Sequence, residues 1–257
     1  MSRMPLTTDL LTTARLIVDG QAAGVWNMAV DEALLESAAR GTGMTLRLYL
    51  WEEATLSLGY FQAHRDRRQH AASRRCPLVR RQTGGGAIVH DRELTYSFCV
   101  PPAHPLAVDV QTLYDQFHGS LVQALTELGA AAALCEKAAR PTNDDEPFLC
   151  FQRRAVGDVL SGPSKIAGSA QRRSHGAVLQ HGSILLHRSP AAPELPGIAE
   201  LQGVSLAPEA LIAHWTRILQ ERLGLQMELG RVSGAEVERA KQLAEEKYGA
   251  AAWTERR

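Results

Sequence analysis

The chain is short of lysine, holds no paired cysteines and has no long apolar run, and each shortage excludes a class of protein. No apolar stretch approaches the roughly 20 residues needed to span a bilayer, so no membrane partner is expected. The first twenty residues, MSRMPLTTDLLTTARLIVDG, lack a sustained apolar core. A secretory signal is therefore not expected, and a cytoplasmic location is. Neither sign of charge dominates: 28 basic residues balance 28 acidic ones. Nothing in that balance attracts nucleic acid or anionic lipid in general. None of the four cysteines, Cys76, Cys99, Cys135 and Cys150, stands in a CxxC pair. Neither a structural zinc site nor a redox dithiol is expected, and no metal is assigned. In a reducing compartment these are free thiols.

What is present fits a soluble globular chain. Hydrophobic residues make up 45% and charged residues 22% of 257 positions, enough to bury a sizeable core. Only Lys137, Lys165, Lys241 and Lys247 are lysines, against 24 arginines. A lysine set among glycine and serine, as Lys165 is, hints that an amine is required there.

Apolar spacing predicts helices over 25–39, 110–128, 208–223 and about 234–247. Gly41, Gly129 and Gly224 serve as stops, and Pro208 sits in a first turn. Strand patterns fall at 45–51, 55–61, 77–82, 87–90, 93–100, 155–160, 165–172 and 177–186. The polar stretch 136–149, broken by two prolines, is expected to be an exposed loop. Adjacent strand pairs outnumber strand-helix-strand units, which predicts an α/β (α+β) fold with a mixed, largely antiparallel sheet packed by helices. No boundary interrupts residues 1–257, so one domain is expected.

Three segments could carry chemistry. In 80-RRQTGGGAIVHD-91, Gly84, Gly85 and Gly86 are more glycines than a hairpin needs. Such a run lets backbone approach a ligand or aims several N–H groups at an anion. Arg81 and His90 place a cation and a titratable ring on its two arms. In 165-KIAGSAQRR-173, Lys165 starts a strand, and Gly168, Ser169 and Ala170 form a small-residue patch against which a ligand could lie. Cys150 ends the polar loop and leads into a strand, where a side chain can be both reachable and held. Cys99, inside a strand, is expected in the core.

Together these segments resemble the biotin/lipoate protein ligase superfamily, and within it the lipoate–octanoate transferase branch. The likeness runs through NMAVDEALL (27–35), SLGYFQ (57–62), RRQTGGGAIVHDRELTYSF (80–98), KIAGSAQRR (165–173), LQHGSILL (179–186) and, more faintly, KYGAAAW (247–253). It implies a catalytic domain of the biotin/lipoate ligase type, in which the glycine loop and the KIAGSAQ strand wall a narrow acyl tunnel with Lys165 at its mouth. The substrate-binding residues so implied are Arg81, Gly84, Gly85, Gly86, His90, Gly168, Ser169, Ala170, Gln171 and His181.

Biotin ligases carry a GRGRxxR-type loop in place of RRQTGGG, which disfavours biotin. Two activities then compete. ATP-dependent lipoate–protein ligases form an acyl-adenylate with ATP and magnesium, and usually add an accessory domain. Only 71 residues follow Leu186 here, and they read as two helices of the main domain. Octanoyltransferases of the acyl-enzyme type instead place a cysteine before the lysine strand, and Cys150 falls on that pattern. The resemblance thus implies catalytic Cys150 and Lys165 and no cofactor. The donor would be octanoyl-acyl carrier protein. The acceptor would be a lipoyl-domain lysine, as on the glycine cleavage H protein or E2 subunits. Amidotransfer of octanoate between lipoyl domains is a variant of the same chemistry.

A thiol–amine pair suffices in magnitude. A free thiol with pKa about 8.5 is only ~3% ionised at pH 7. Shifting such a thiol by two units takes roughly 2.7 kcal/mol. An ammonium at about 4 Å supplies on the order of 4 kcal/mol at an effective dielectric near 20. His90 and His181 are candidate proton carriers, and amides of the glycine loop or of Gly168–Ala170 are candidate oxyanion donors.

Overall fold

The computed structural model describes residues 12–138 and 146–257. Its first hundred residues hold strands β1 (Thr12–Ala22), β2 (Met44–Trp51), β3 (Thr55–Leu58), β4 (Leu78–Arg80), β5 (Ile88–His90) and β6 (Glu93–Val100). Then follow β7 (Ala133–Leu134), β8 (Val159–Ser161), β9 (Ser164–Ser174), β10 (Ala177–Leu185) and β11 (Leu225–Leu229). The main helices are α1 (Gly24–Ala39), α2 (Val110–Glu127), α3 (Pro208–Leu223) and α4 (Gly234–Leu243), the last continued by a π turn over Ala244–Tyr248.

Eight strands form one sheet in the order β11-β1-β2-β6-β10-β9-β8-β7, and three form a second in the order β4-β3-β5. In the large sheet β1 pairs in parallel with β2 and β11, and the remaining neighbours are antiparallel. The sheet is therefore mixed and largely antiparallel, with helices on both faces.

Strand alternation decides what each face does. Along β6, Leu94, Tyr96, Phe98 and Val100 share a core with Leu113, Phe117 and Leu121 of α2 and Trp215, Ile218 and Leu219 of α3. Burying each large apolar side chain there contributes about 1.5–3 kcal/mol. The intervening Glu93, Thr95, Ser97 and Cys99 turn to the face under α1, and they too are buried. Cys99 lies in that second core, with Met28, Leu34 and Leu179. A polar patch buried beneath a helix must be hydrogen-bonded throughout or serve a ligand. The small sheet lies over this face, with a core of its own that includes Leu56, Leu58, Val89, Leu149 and Phe151.

Several elements differ from the sequence reading. Strands β1 and β11 were not expected. Residues 155–160 yield only β8, because Gly157 turns the chain at φ +86°. Cys150 does not lead directly into a strand; it opens a single 3-10 turn, Cys150–Gln152. Residues 139–145 of the expected exposed loop lie outside the described residues.

Candidate active site

A cavity separates the α1-side face of the large sheet from the glycine loop. Cys150 and Lys165 both line it, with Lys165 Nζ 4.0 Å from Cys150 Sγ. Two pairings bring the thiol there. Ala87 and Leu149 form a parallel bridge, and Cys150 N donates to Ala87 O at 2.7 Å. The cysteine segment is thus stitched to the strand that leaves the glycine loop. Lys165 comes from β9, and Gly168 makes room for its side chain. A Cβ on Gly168 would stand 2.5 Å from Lys165 Cε and 2.7 Å from Nζ.

Lys165 is 8% exposed, and its ammonium is not a free charge. Asp158, also buried, holds it at 2.9 Å. That carboxylate also accepts from Tyr114 Oη at 3.1 Å and from Ala155 N at 2.7 Å. Burial and the neighbouring Asp158 push the Tyr114 phenol well above its usual range, so it stays a donor. Behind it, His118 on α2 bonds Gly157 O through Nδ1 and Ser169 Oγ through Nε2. Burial pushes this imidazole down to about 4, and the neutral ring donates from Nδ1 and accepts at Nε2. Asp158, Tyr114 and His118 escaped the sequence reading. Two of them left a trace: Asp158 as an acid within the apolar run AVGDVL, and His118 as a histidine on the buried face of an amphipathic helix.

The second cation at the site is Arg81. It is buried and donates to Ser57 O, Gly84 O and Gly86 O at 3.1, 2.7 and 2.6 Å. No carboxylate lies within ion-pair distance of it among the described residues. Burial lowers its pKa to about 10, so it remains charged at neutral pH. A side chain on Gly85 would fall 3.1 Å from Arg81 Nη2 and 3.8 Å from Cys150 Sγ, so cation and sulfur flank one point. Arg81 therefore does two things: it fixes the glycine loop through its carbonyls, and it leaves a net positive charge beside the thiol. Gly85 itself adopts φ +93°, a conformation that glycine enters without strain. Among the described residues the amides of Gly84, Gly85 and Gly86 donate to nothing, so they remain available to an anionic oxygen.

The other predicted residues divide by strand face. Gly168, Ala170 and His181 line the cavity, as do Gly84, Gly85 and His90. Ser169 borders it too, but its hydroxyl is committed to His118. Gln171 is not a cavity residue. One position further along β9, it donates instead to Val110 O and Gln180 Oε1, both at 2.7 Å. Gly86 also stays outside the cavity wall; a Cβ there would meet the Arg153 guanidinium at 2.9 Å.

Both histidines are engaged away from the sulfur. His181 Nε2 meets Thr83 Oγ1 at 2.6 Å, and its Nδ1 faces Asp31 at 3.5 Å. Asp31 receives Arg47, Tyr49 and Ser97 as well. Burial opposes its charge, but His181, Arg47 and Ser97 hold the carboxyl below the usual range. Asp31, from the NMAVDEALL segment, thereby holds the cavity-lining residues Tyr49 and His181 from below. His90 stacks on Trp51 with centroids 3.9 Å apart and shares Nδ1 with Glu93.

Comparison with known proteins bears on this geometry. The lipoyl protein ligase A/B catalytic domain matches residues 24–192. An octanoyltransferase LipM from Kyrpidia tusciae is 39% identical over 181 residues, 66% of this chain and 65% of that protein. The chain spans a little under two thirds of the length of the curated relatives it matches. Among solved structures, lipoate-protein ligase A bound with ATP superposes with a TM-score of 0.74 at 23% identity, covering 95% of this chain and 98% of the other. A bipartite lipoate protein ligase from Thermoplasma acidophilum, studied with its lipoyl domain, gives 0.72 at 20% identity, covering 95% and 96%.

Proposed function

The chain belongs to the lipoyl protein ligase A/B catalytic domain family, and from that premise we propose that it transfers octanoyl groups in protein lipoylation through a thioester on Cys150. The observation that carries this reading is a cavity-lining thiol 4.0 Å from a buried ammonium. The likeness to relatives named octanoyltransferase supports it.

In the first step the Cys150 thiolate attacks the carbonyl of an octanoyl thioester. The carbonyl oxygen becomes an oxyanion facing the free amides of the glycine loop, with Arg81 and Lys165 as counter-charges. The C–S bond to the donor breaks, and the departing thiolate takes up the proton that Cys150 gave up. One thioester replaces another, so the step is nearly balanced. In the second step a lysine amine of a lipoyl-domain acceptor attacks the Cys150 thioester. An amide forms, the amine loses a proton, and the Cys150 thiol is restored. An amide is more stable than a thioester, so this step runs downhill without a nucleotide. The proposed donor is octanoyl-acyl carrier protein. Four free thiols suit the reducing, cytoplasmic setting this chemistry requires.

Intact mass spectrometry after mixing with octanoyl-acyl carrier protein tests the reading. One octanoyl group should add to the chain, and Cys150→Ala should abolish it. Octanoylation of a lipoyl domain that requires ATP and free octanoate, and persists in Cys150→Ala, would overturn the proposal in favour of a ligase. Formation of a complex without any covalent adduct would reduce the chain to a binding module.

A further inference from the structure

One side of the cavity opening carries an aromatic pair set in unneutralised arginine. Tyr60 and Phe61 follow β3. Phe61 is 68% exposed, and its ring lies 3.7 Å from where a Gly84 side chain would stand. The exposed ring thus rests on the glycine loop. Three guanidinium groups gather around the Tyr60 ring, Arg256 at 3.8 Å, Arg172 at 5.3 Å and Arg257 at 5.9 Å. None of the three has a carboxylate within ion-pair distance among the described residues. The Arg256 guanidinium, aided by the charges of Arg172 and Arg257, lowers the Tyr60 phenol from its ordinary value.

These cations are placed by the fold rather than trailing from it. Trp253 Nε1 donates to Arg80 O, the Arg80 guanidinium returns bonds to Trp253 O and Thr254 O, and His64 N donates to Arg257 O. The adjoining stretch His64–Arg75 adds five arginines against one acid, Asp66, whose carboxylate is spent on Ala63 N. In a chain whose charges balance overall, this is a local excess. From the patch a second, polar crevice, lined by Phe61, Gln62, Phe148 and Arg153 and by the acids Asp66 and Glu146, reaches Gly85 and so adjoins the Cys150 cavity. Glu146 pairs with Arg153 at 2.8 Å, so the excess of positive charge lies on the patch and not in the crevice.

We infer that this arginine-aromatic patch is the docking surface for an acidic partner protein, the carrier that delivers the acyl thioester on a polar tether through the second crevice. The inference rests on the proposed function and adds a location and a chemistry of recognition. Guanidinium groups match surface carboxylates in bidentate geometry, and unpaired cations gathered on one ring are relieved of mutual repulsion by an anionic face. Charges at such a rim act mainly on encounter rate and its salt dependence. A polar crevice that meets the Cys150 cavity at Gly85 points to the thioester donor, since its acyl group must travel from the carrier surface to a partly buried sulfur.

The test compares two donors, octanoyl-acyl carrier protein and the octanoyl thioester of a small uncharged thiol, by the rate of Cys150 acylation. The variant is Arg172→Glu/Arg256→Glu/Arg257→Glu, checked for an unchanged melting temperature. With the carrier, kcat/KM should fall at least tenfold and lose its dependence on ionic strength. With the small thioester it should hold within twofold. Equal losses with both donors, or no loss with either, would overturn the docking surface. Unchanged acylation by carrier with impaired transfer to a lipoyl domain would also overturn it, assigning the patch to the acceptor. A native chain that accepts octanoate from neither donor would instead sink the proposed function itself.

Discussion

Replacing Asp158 by asparagine should make the protein less stable and its sulfur more reactive. The carboxylate stands 2.9 Å from the Lys165 ammonium, which stands 4.0 Å from Cys150 Sγ. Carboxylate and sulfur are therefore no more than about 7 Å apart, where two anions repel by on the order of 2 kcal/mol at an effective dielectric near 20. Asparagine keeps the shape and removes that repulsion, and it frees the ammonium to move toward sulfur. The expected gain in iodoacetamide alkylation of Cys150 at pH 7 is about tenfold, the factor that roughly 1.4 kcal/mol represents. Stability should move the other way. Both partners are buried, so breaking the pair from one side leaves an uncompensated ammonium and costs roughly 3–5 kcal/mol in urea unfolding. Asp158→Asn/Lys165→Met should recover much of that loss, because the stranded charge goes with the lysine. Equal alkylation rates in native chain and variant would refute the electrostatic argument. Strictly additive losses in the double variant would refute the pairing.

Other outcomes follow from the same geometry. Gly168→Ala should drive the Lys165 side chain off β9 and slow octanoyl-adduct formation more than tenfold, with an unchanged circular dichroism spectrum; an undiminished rate would show that the amine need not lie there. The His118 imidazole, held down to about 4 in the fold, disfavours protonation. Its contribution to stability is complete above the ordinary histidine pKa of about 6.5 and declines as pH falls from there toward 4. Urea unfolding from pH 8 to 4 should show that decline, and His118→Gln should flatten it. Glu236 acts lower on the scale. Burial opposes its charge, but Arg15 and Ser233 bring it down to about 2. The stability it provides is present above about 4.5 and fades below, so Glu236→Gln should matter at pH 7 and not at pH 2.

The sequence made α2 and α3 legible because each has an apolar stripe and a glycine at its end. α3 also has Pro208 at its start, with Gly224 in the left-handed conformation beyond it. β1 and β11 were missed for a physical reason. They pair in parallel at one end of the sheet, and their exposed positions, such as Val18 and Leu229, blur the alternation that marks a strand. At the site, the sequence located the loop, the lysine strand and the cysteine, whose residue types are unusual where they stand. It did not resolve faces. Gly168 and Ala170 look into the cavity while Gln171 looks away, and only the register of β9 on β10 decides which is which. Asp158, Tyr114 and His118 act through contacts between elements distant in the chain, so a local pattern at most makes a residue stand out and does not join it to the site.

The stitch between Ala87 and Leu149 has a mechanical corollary. Nucleophile and candidate oxyanion amides are tied to one strand by backbone hydrogen bonds, so a displacement of that strand would move the two together. Their mutual alignment depends on that one stitch, whereas the distance from sulfur to ammonium depends on how the small sheet packs on the large one, where Lys165 stands.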